Sequence, residues 1–175
     1  MDLKKYIRSI PDYPKKGILF RDITTLIKNE KAFSDCIDQI VEKTKNFKVD
    51  KIAAIESRGF IFASAVSYIL KKPFILLRKK NKLPAETHSV KFKLEYGTAT
   101  MEIHKDAVNE EDSVLLIDDL IATGGTAEAA AKLIEISKGK VSGFIFVINL
   151  FDLGGCDNLI KKGYKVEKLI DFPGH

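Results

Sequence analysis

A short apolar run that ends in two carboxylates and opens straight into a helix admits few folds. The chain reads Val114-Leu115-Leu116-Ile117-Asp118-Asp119-Leu120-Ile121-Ala122-Thr123-Gly124-Gly125-Thr126, and an alanine-rich segment follows. Residues 113–117 have the length and β-branching of a buried parallel strand. Parallel strands need crossover connections, usually helices. Two neighbouring carboxylates at the strand exit can accept bonds from a pair of adjacent sugar hydroxyls. After them come free backbone N–H groups, two hydroxyl side chains and a helix N-terminus, the ingredients of a phosphate seat. Diol and phosphate side by side describe a ribose 5-phosphate. The segment is neither the dinucleotide fingerprint Gly-x-Gly-x-x-Gly nor a Walker loop, which needs Gly-Lys-Ser/Thr after a four-residue gap.

Helices and strands alternate along the rest of the chain. Residues 2–10 read as a short amphipathic helix stopped by Pro11. Residues 30–47 carry a 3.6-residue apolar period behind Asn29, a good N-cap. Residues 51–55 read as a strand, 60–70 as a helix and 73–77 as a strand. Residues 98–103 alternate as a half-exposed strand does. Residues 125–137 read as a helix in which Glu128 and Lys132 have pairing distance. Strands at 141–150 and 165–170 flank a weaker helix at 157–162. The expected fold is α/β: a doubly wound, mostly parallel sheet flanked by helices, with ligands at the carboxyl ends of its strands. Asp118 and Asp119 fall at such an end.

One domain is expected over residues 1–175, long enough to bury about 70% of its unfolded surface. The formal charge of +5 and pI near 9.0 favour anionic partners, either nucleic acid or a phosphorylated small molecule. The positive charge is lysine-rich and dispersed, which weakens the nucleic-acid reading. Two cysteines make neither a disulfide framework nor a four-ligand metal site. Cys36 lies on an apolar helical stripe and reads as core, and the expected compartment is the reducing cytoplasm. The N-terminus lacks a signal-peptide apolar region. The run 60–70 falls short of the roughly 20 residues of a membrane span. His88, His104 and His175 lack ligand spacing, so no direct protein metal site is expected.

A second strand end carries chemistry. Residues 51–55 run into Glu56-Ser57-Arg58-Gly59-Phe60, where Arg58 can meet an anion beside a helix N-terminus. The segment between Arg78 and Glu95 opens on a basic cluster, passes Pro84 and reads as an irregular, mobile loop. A lid there, at about 79–95, would exclude water from a reactive sugar cation.

Three stretches appear in one order: Pro11-Asp12-Tyr13-Pro14 with Gly17-Ile18-Leu19-Phe20-Arg21-Asp22-Ile23, the basic loop with Leu94-Glu95-Tyr96-Gly97-Thr98, and Asp118 through Thr126. Together they resemble the type I phosphoribosyltransferases over nearly the whole chain to about Phe151. Phe20-Arg21-Asp22-Ile23 and Leu94-Glu95-Tyr96-Gly97 resemble the adenine-using branch. The resemblance implies transfer of a 5-phosphoribosyl group from phosphoribosyl diphosphate to adenine, giving AMP and pyrophosphate in purine salvage. It implies that Asp118 and Asp119 bind the ribose hydroxyls, and that Ala122, Thr123, Gly124, Gly125 and Thr126 wrap the 5-phosphate. Arg58, Lys79 and Lys82 would hold pyrophosphate, with Arg78 reaching in from a partner subunit of a homodimer. A small hood at about 1–28 would supply Phe20 as an aromatic face and backbone near Arg21 to read the adenine edge, with Leu120 on the opposite face. Mg²⁺ would bind mainly through the substrate's oxygens. Glu95 would manage proton density at adenine N7, as acid or as base.

The chain departs from the family pattern at Asn149 and Cys156, where acidic and arginine residues are common, and at Asn81, where glycine is usual. Two rival readings are a transferase for hypoxanthine, xanthine or orotate, and a non-catalytic regulator that senses phosphoribosyl diphosphate. Against the regulator, no DNA-binding domain has room before Phe20. Glu95→Gln is expected to lower kcat about 10²-fold or more. Near-normal turnover in a folded variant would overturn that role.

Overall fold

A computed structural model describes residues 1–94 and 96–175. Glu95 lies outside the described residues. The sheet has seven strands: β3 (Lys51–Ile55), β4 (Phe74–Lys79), β5 (Thr87–Lys93), β6 (Thr98–His104), β7 (Ser113–Ile121), β8 (Lys140–Leu150) and β9 (Val166–Phe172). Their spatial order is β5-β6-β4-β3-β7-β8-β9. The β4-β3-β7-β8-β9 ladders are parallel, and β5 and β6 add an antiparallel hairpin at one edge. A separate ribbon pairs β1 (Arg8–Ile10) with β2 (Phe20–Asp22).

Strand periodicity sorts the core into two layers. Ile52, Ala54, Leu115, Ile117, Ile145 and Val147 pack on α1 (Thr24–Ile27), α2 (Glu30–Thr44) and α3 (Arg58–Leu70). Ala53, Val114, Leu116, Phe144 and Phe146 face α4 (Gly125–Ile136) and α5 (Gly155–Lys161). The sheet is therefore covered on both sides, which explains the unbroken apolar runs of β7 and β8. Cys36 is fully buried on α2. Asn29 caps that helix, its Oδ1 accepting the Ala32 N–H at 2.9 Å.

Four expectations change. Residues 2–10 are not one helix: a 3-10 turn at Leu3–Tyr6 leads into β1. A helix that short is marginal alone, and pairing with β2 wins, helped by Arg8 on Asp22 at 2.6 Å. The central strand does not end at Ile117, because β8 supplies partners as far as Ile121↔Asn149. The segment after Arg78 is mostly strand. β4 runs to Lys79 and β5 pairs with β6 from Thr87↔His104 to Lys93↔Thr98, so among the described residues an irregular stretch remains only at 80–86 and at 94 and 96–97. The alternation Val90, Phe92 with polar neighbours was the strand signal there. Finally, Glu128 bonds Lys162 of α5 at 2.7 Å.

Candidate active site

The topology opens a crevice between β3 and β7. From β3 the chain crosses through α3 to β4, and from β7 it crosses through α4 to β8 on the other side. Because α3 and α4 lie on opposite faces, the carboxyl ends of these two strands part. Their last shared pair is Ala53↔Leu116. Beyond it lies a cavity of about 270 Å³, lined by residues 55–58 on one side and 118–127 on the other, with Phe146 at its floor. Arg58, Asp118, Asp119, Leu120, Ala122, Thr123, Gly124, Gly125 and Thr126 meet there.

The carboxylates are held differently. Asp118 Oδ1 accepts the Asp119 N–H at 2.9 Å. The same oxygen sits 2.6 Å from where a Cβ on Gly59 would stand, so Gly59 leaves the α3 N-terminus open to it. Burial, then the charge of Asp119, push the Asp118 carboxyl well above the ordinary carboxylate range, against the pull of Arg58. Asp119 is buried and bonds Arg58 Nε at 2.9 Å. Arg58 is half exposed, and its guanidinium carbon lies 5.5 Å from the Phe20 ring centroid. The arginine thus touches the carboxylate pair and the β1–β2 ribbon together.

The loop after β7 is shaped by glycine. Gly124 has φ +94° where α4 begins, a conformation that L side chains rarely adopt. Among the described residues no side chain caps this helix, so its first-turn N–H groups face the cavity rim. Gly155 holds the loop from behind: its N–H donates to the Ala122 carbonyl at 3.0 Å. A Cβ there would lie 2.4 Å from that carbonyl and 2.7 Å from Ile121. Sequence reading missed Gly155, although the Gly154-Gly155 pair after β8 was visible.

Glu56 was also missed. It accepts the Lys79 N–H and meets Arg78 at 3.4 Å, joining the Arg58 turn to the basic segment. Burial opposes its ionisation, yet the Lys79 N–H and the Arg78 guanidinium outweigh it and hold Glu56 below the usual range. Lys79 and Lys82 are exposed and, like Arg78, lie outside the cavity lining. Phe20 stands at the mouth beside Arg58. The Arg21 side chain does not reach the cavity: it is buried against Ser9, Phe172 and Pro173. Lys15 of the ribbon loop sits 3.6 Å over the Tyr96 ring, next to Glu95 in sequence.

Two of the three departures, Asn149 and Cys156, line one cavity. Asn149 donates to Asp171 at 2.7 Å, and a cavity of about 190 Å³ separates it from the buried Cys156. Among the described residues, no three His, Cys, Asp or Glu side chains gather as metal ligands.

Residues 22–171 match the phosphoribosyl transferase domain family. The chain is 77% identical to the adenine phosphoribosyltransferase of Pelagibacter ubique (strain HTCC1062) over the full length of both. It is 51% identical to that of Sinorhizobium medicae (strain WSM419), covering 99% of this chain and 97% of the relative. The adenine phosphoribosyltransferase of Thermoanaerobacter pseudethanolicus superposes with a TM-score of 0.94 at 48% identity, over 98% of each chain. The Saccharomyces cerevisiae enzyme superposes with a TM-score of 0.88 at 34% identity, over 97% of each chain. That structure is a complex with an imino-altritol bisphosphate and adenine.

Two measurements check this geometry. Gly155→Ala is expected to weaken ribose 5-phosphate binding about tenfold by pushing the Ala122 carbonyl outward. Unchanged affinity in calorimetry would show that Gly155 does not hold the loop. Asp118 has a folded pKa above its unfolded value of about 3.9. The native state then binds the extra proton, so this group's contribution to stability falls as pH rises from about 4 through the raised folded pKa. Asp118→Asn is expected to remove that slope from melting temperatures measured between about pH 4 and pH 8. The same slope in both proteins would contradict it.

Proposed function

The chain belongs to the adenine phosphoribosyltransferases, and we propose that the crevice between β3 and β7 holds phosphoribosyl diphosphate while the β1–β2 ribbon holds the base. The reaction transfers the 5-phosphoribosyl group from phosphoribosyl diphosphate to adenine, yielding AMP and pyrophosphate. One observation carries the residue assignment: a single cavity joins a carboxylate pair to two separate anion seats, one at each strand end.

Asp118 and Asp119 accept the ribose hydroxyls. The N–H groups of the 122–126 loop, the Thr123 and Thr126 hydroxyls and the α4 N-terminus take the 5-phosphate. Arg58 takes the pyrophosphate, with Lys79 and Lys82 contributing from the segment after β4 and Arg78 reaching in from the partner subunit of a homodimer. Within the chain Arg58 is bonded to Asp119, so the substrate's diol and its diphosphate compete for both partners at once.

Breaking the C1–O bond to pyrophosphate leaves positive charge on the sugar ring. The two carboxylates beside the ribose stabilise that charge, and the cations opposite stabilise the leaving group. Adenine N9 forms the new bond to C1 as the C1–O bond breaks, and its proton passes to the departing pyrophosphate. Glu95 bonds at N7 and manages that shift of proton density. Phe20 and Leu120 face the base from either side, and backbone near Arg21 reads its edge.

Mg²⁺ fits this site as a substrate-borne ion. With Asp118 and Asp119 taken by the ribose hydroxyls, the diphosphate and water would supply most of its oxygen ligands. Its chemistry there is neutralisation of the departing diphosphate.

A homodimer is supported by an apolar face: α3 and β4 expose Ile61, Tyr68, Ile69 and Leu76. Arg78 lies on the same strand, and among the described residues its buried Nε lacks a partner. Two free, buried cysteines support a reducing cytoplasmic setting. Among the described residues, no helix is long and apolar enough to cross a membrane.

Purified protein with Mg²⁺ and phosphoribosyl diphosphate is expected to release pyrophosphate with adenine and not with hypoxanthine, xanthine or orotate. Product only with another base would overturn the acceptor. Arg58→Gln is expected to lower kcat/KM for phosphoribosyl diphosphate about 10²-fold or more, since it loses a transition-state cation and the Asp119 contact together. Parent activity in that variant would remove Arg58 from the pyrophosphate seat. Duplex DNA binding with a steep salt slope and no turnover would favour the regulator.

A further inference from the structure

We propose that Arg21 is a positioning residue for base recognition, its side chain strapping the β1–β2 ribbon to the C-terminal end of β9. This rests on the reading that adenine lies against that ribbon.

A two-stranded ribbon is marginal by itself and needs anchoring. This one has three register pairs, Arg8↔Asp22, Ser9↔Arg21 and Ile10↔Phe20. Successive residues of a strand face opposite ways. Phe20 accordingly meets Arg58 at the cavity mouth, while Arg21 turns to the other side. There its guanidinium donates to the Ser9 hydroxyl and, at 2.8 Å, to the Pro173 carbonyl. It also lies 4.4 Å from the Phe172 ring centroid, and Lys4 Nζ lies 4.7 Å from the same ring. The tail is secured in turn: the Gly174 N–H donates to Asp152 Oδ1 at 2.6 Å. One side chain thus joins segments 152 residues apart, directly behind the residue that faces the base.

The choice of partners is telling. Arg21 is only 7% exposed and bonds no carboxylate, although the charge of Asp152 acts on it, and an arginine buried that way is costly. The adjacent carboxylate of Asp22 is already engaged by Arg8 and by Thr24. Arg21 is therefore held by Ser9 of the ribbon itself and by Phe172 and Pro173 at the end of β9, not by a local ion pair. Moving the tail moves the ribbon, and with it the Phe20 ring and the backbone that reads the base. The ribose and phosphate seats lie on β7 and α4 and do not depend on this contact.

The test uses the full chain with Arg21→Met, Arg21→Lys and Phe172→Leu. KM for adenine is expected to rise about tenfold in Arg21→Met and in Phe172→Leu. KM for phosphoribosyl diphosphate should move by less than about twofold, and Arg21→Lys should recover part of the loss. Hydrogen exchange over residues 8–10 and 20–22 should speed up in Arg21→Met, with the central sheet unchanged. A folded variant with the parent KM for adenine, both KM values raised in parallel, or unchanged ribbon exchange would overturn the strap. Should Arg21→Met not fold, Phe172→Leu decides alone. If the parent makes no AMP from adenine while ribbon exchange responds as expected, the base reading fails and the recognition role falls with it, leaving only a structural tie.

Discussion

Everything in the site depends on the parting of β3 and β7. Two parallel strands share a ladder up to Ala53 and Leu116, and then their crossovers leave on opposite faces. Backbone that would otherwise pair is free to line a cavity, and the two strand ends present different chemistry to one volume. On the β3 side stands a cation at a helix start. On the β7 side stand two carboxylates, then a glycine loop and a second helix start. No single local motif could place a diol site between two anion seats.

Close approach is the second condition, and glycine meets it where a Cβ would not fit. Gly59 lets a carboxylate oxygen rest against α3, and Gly155 lets α5 support the phosphate loop from behind. The charges are arranged with equal economy. Arg58 bonds Asp119, and Glu56 meets Arg78, so the buried carboxylates of a strongly anionic site have cations at hand.

Much of this was legible in the chain itself. Residues 51–55, the start of α2 and the span of α4 were readable because burial on both faces, an N-cap and an alanine-rich apolar stripe are local signals, whereas the end of α2 falls at Thr44 rather than 47. Asp118 through Thr126 could be nominated from the sequence because its residues are consecutive, and the structure gathers them at one cavity. The N-terminal segment was misread because helix periodicity in nine residues is outweighed by a partner strand ten residues further on. β5 was misread because its basic neighbours drew attention from the alternation of Val90 and Phe92. Glu56 and Gly155 were missed because each acts on a residue remote in sequence, Lys79 and Ala122.

The sequence alone determined the fold class through its strand and helix periods, and the branch of the family through the resemblance of its motifs; the phosphoribosyl seat at residues 118–126 is its proposal from adjacent residues. Only the tertiary structure decided that β7 continues past its carboxylates, that Arg58 and Asp119 share a bond, and that Arg21 turns from the base site to the C-terminal tail. Each of these depends on which distant backbone comes within hydrogen-bonding reach. Strand order and crossover direction set that reach, and neither is written in any one stretch of the chain.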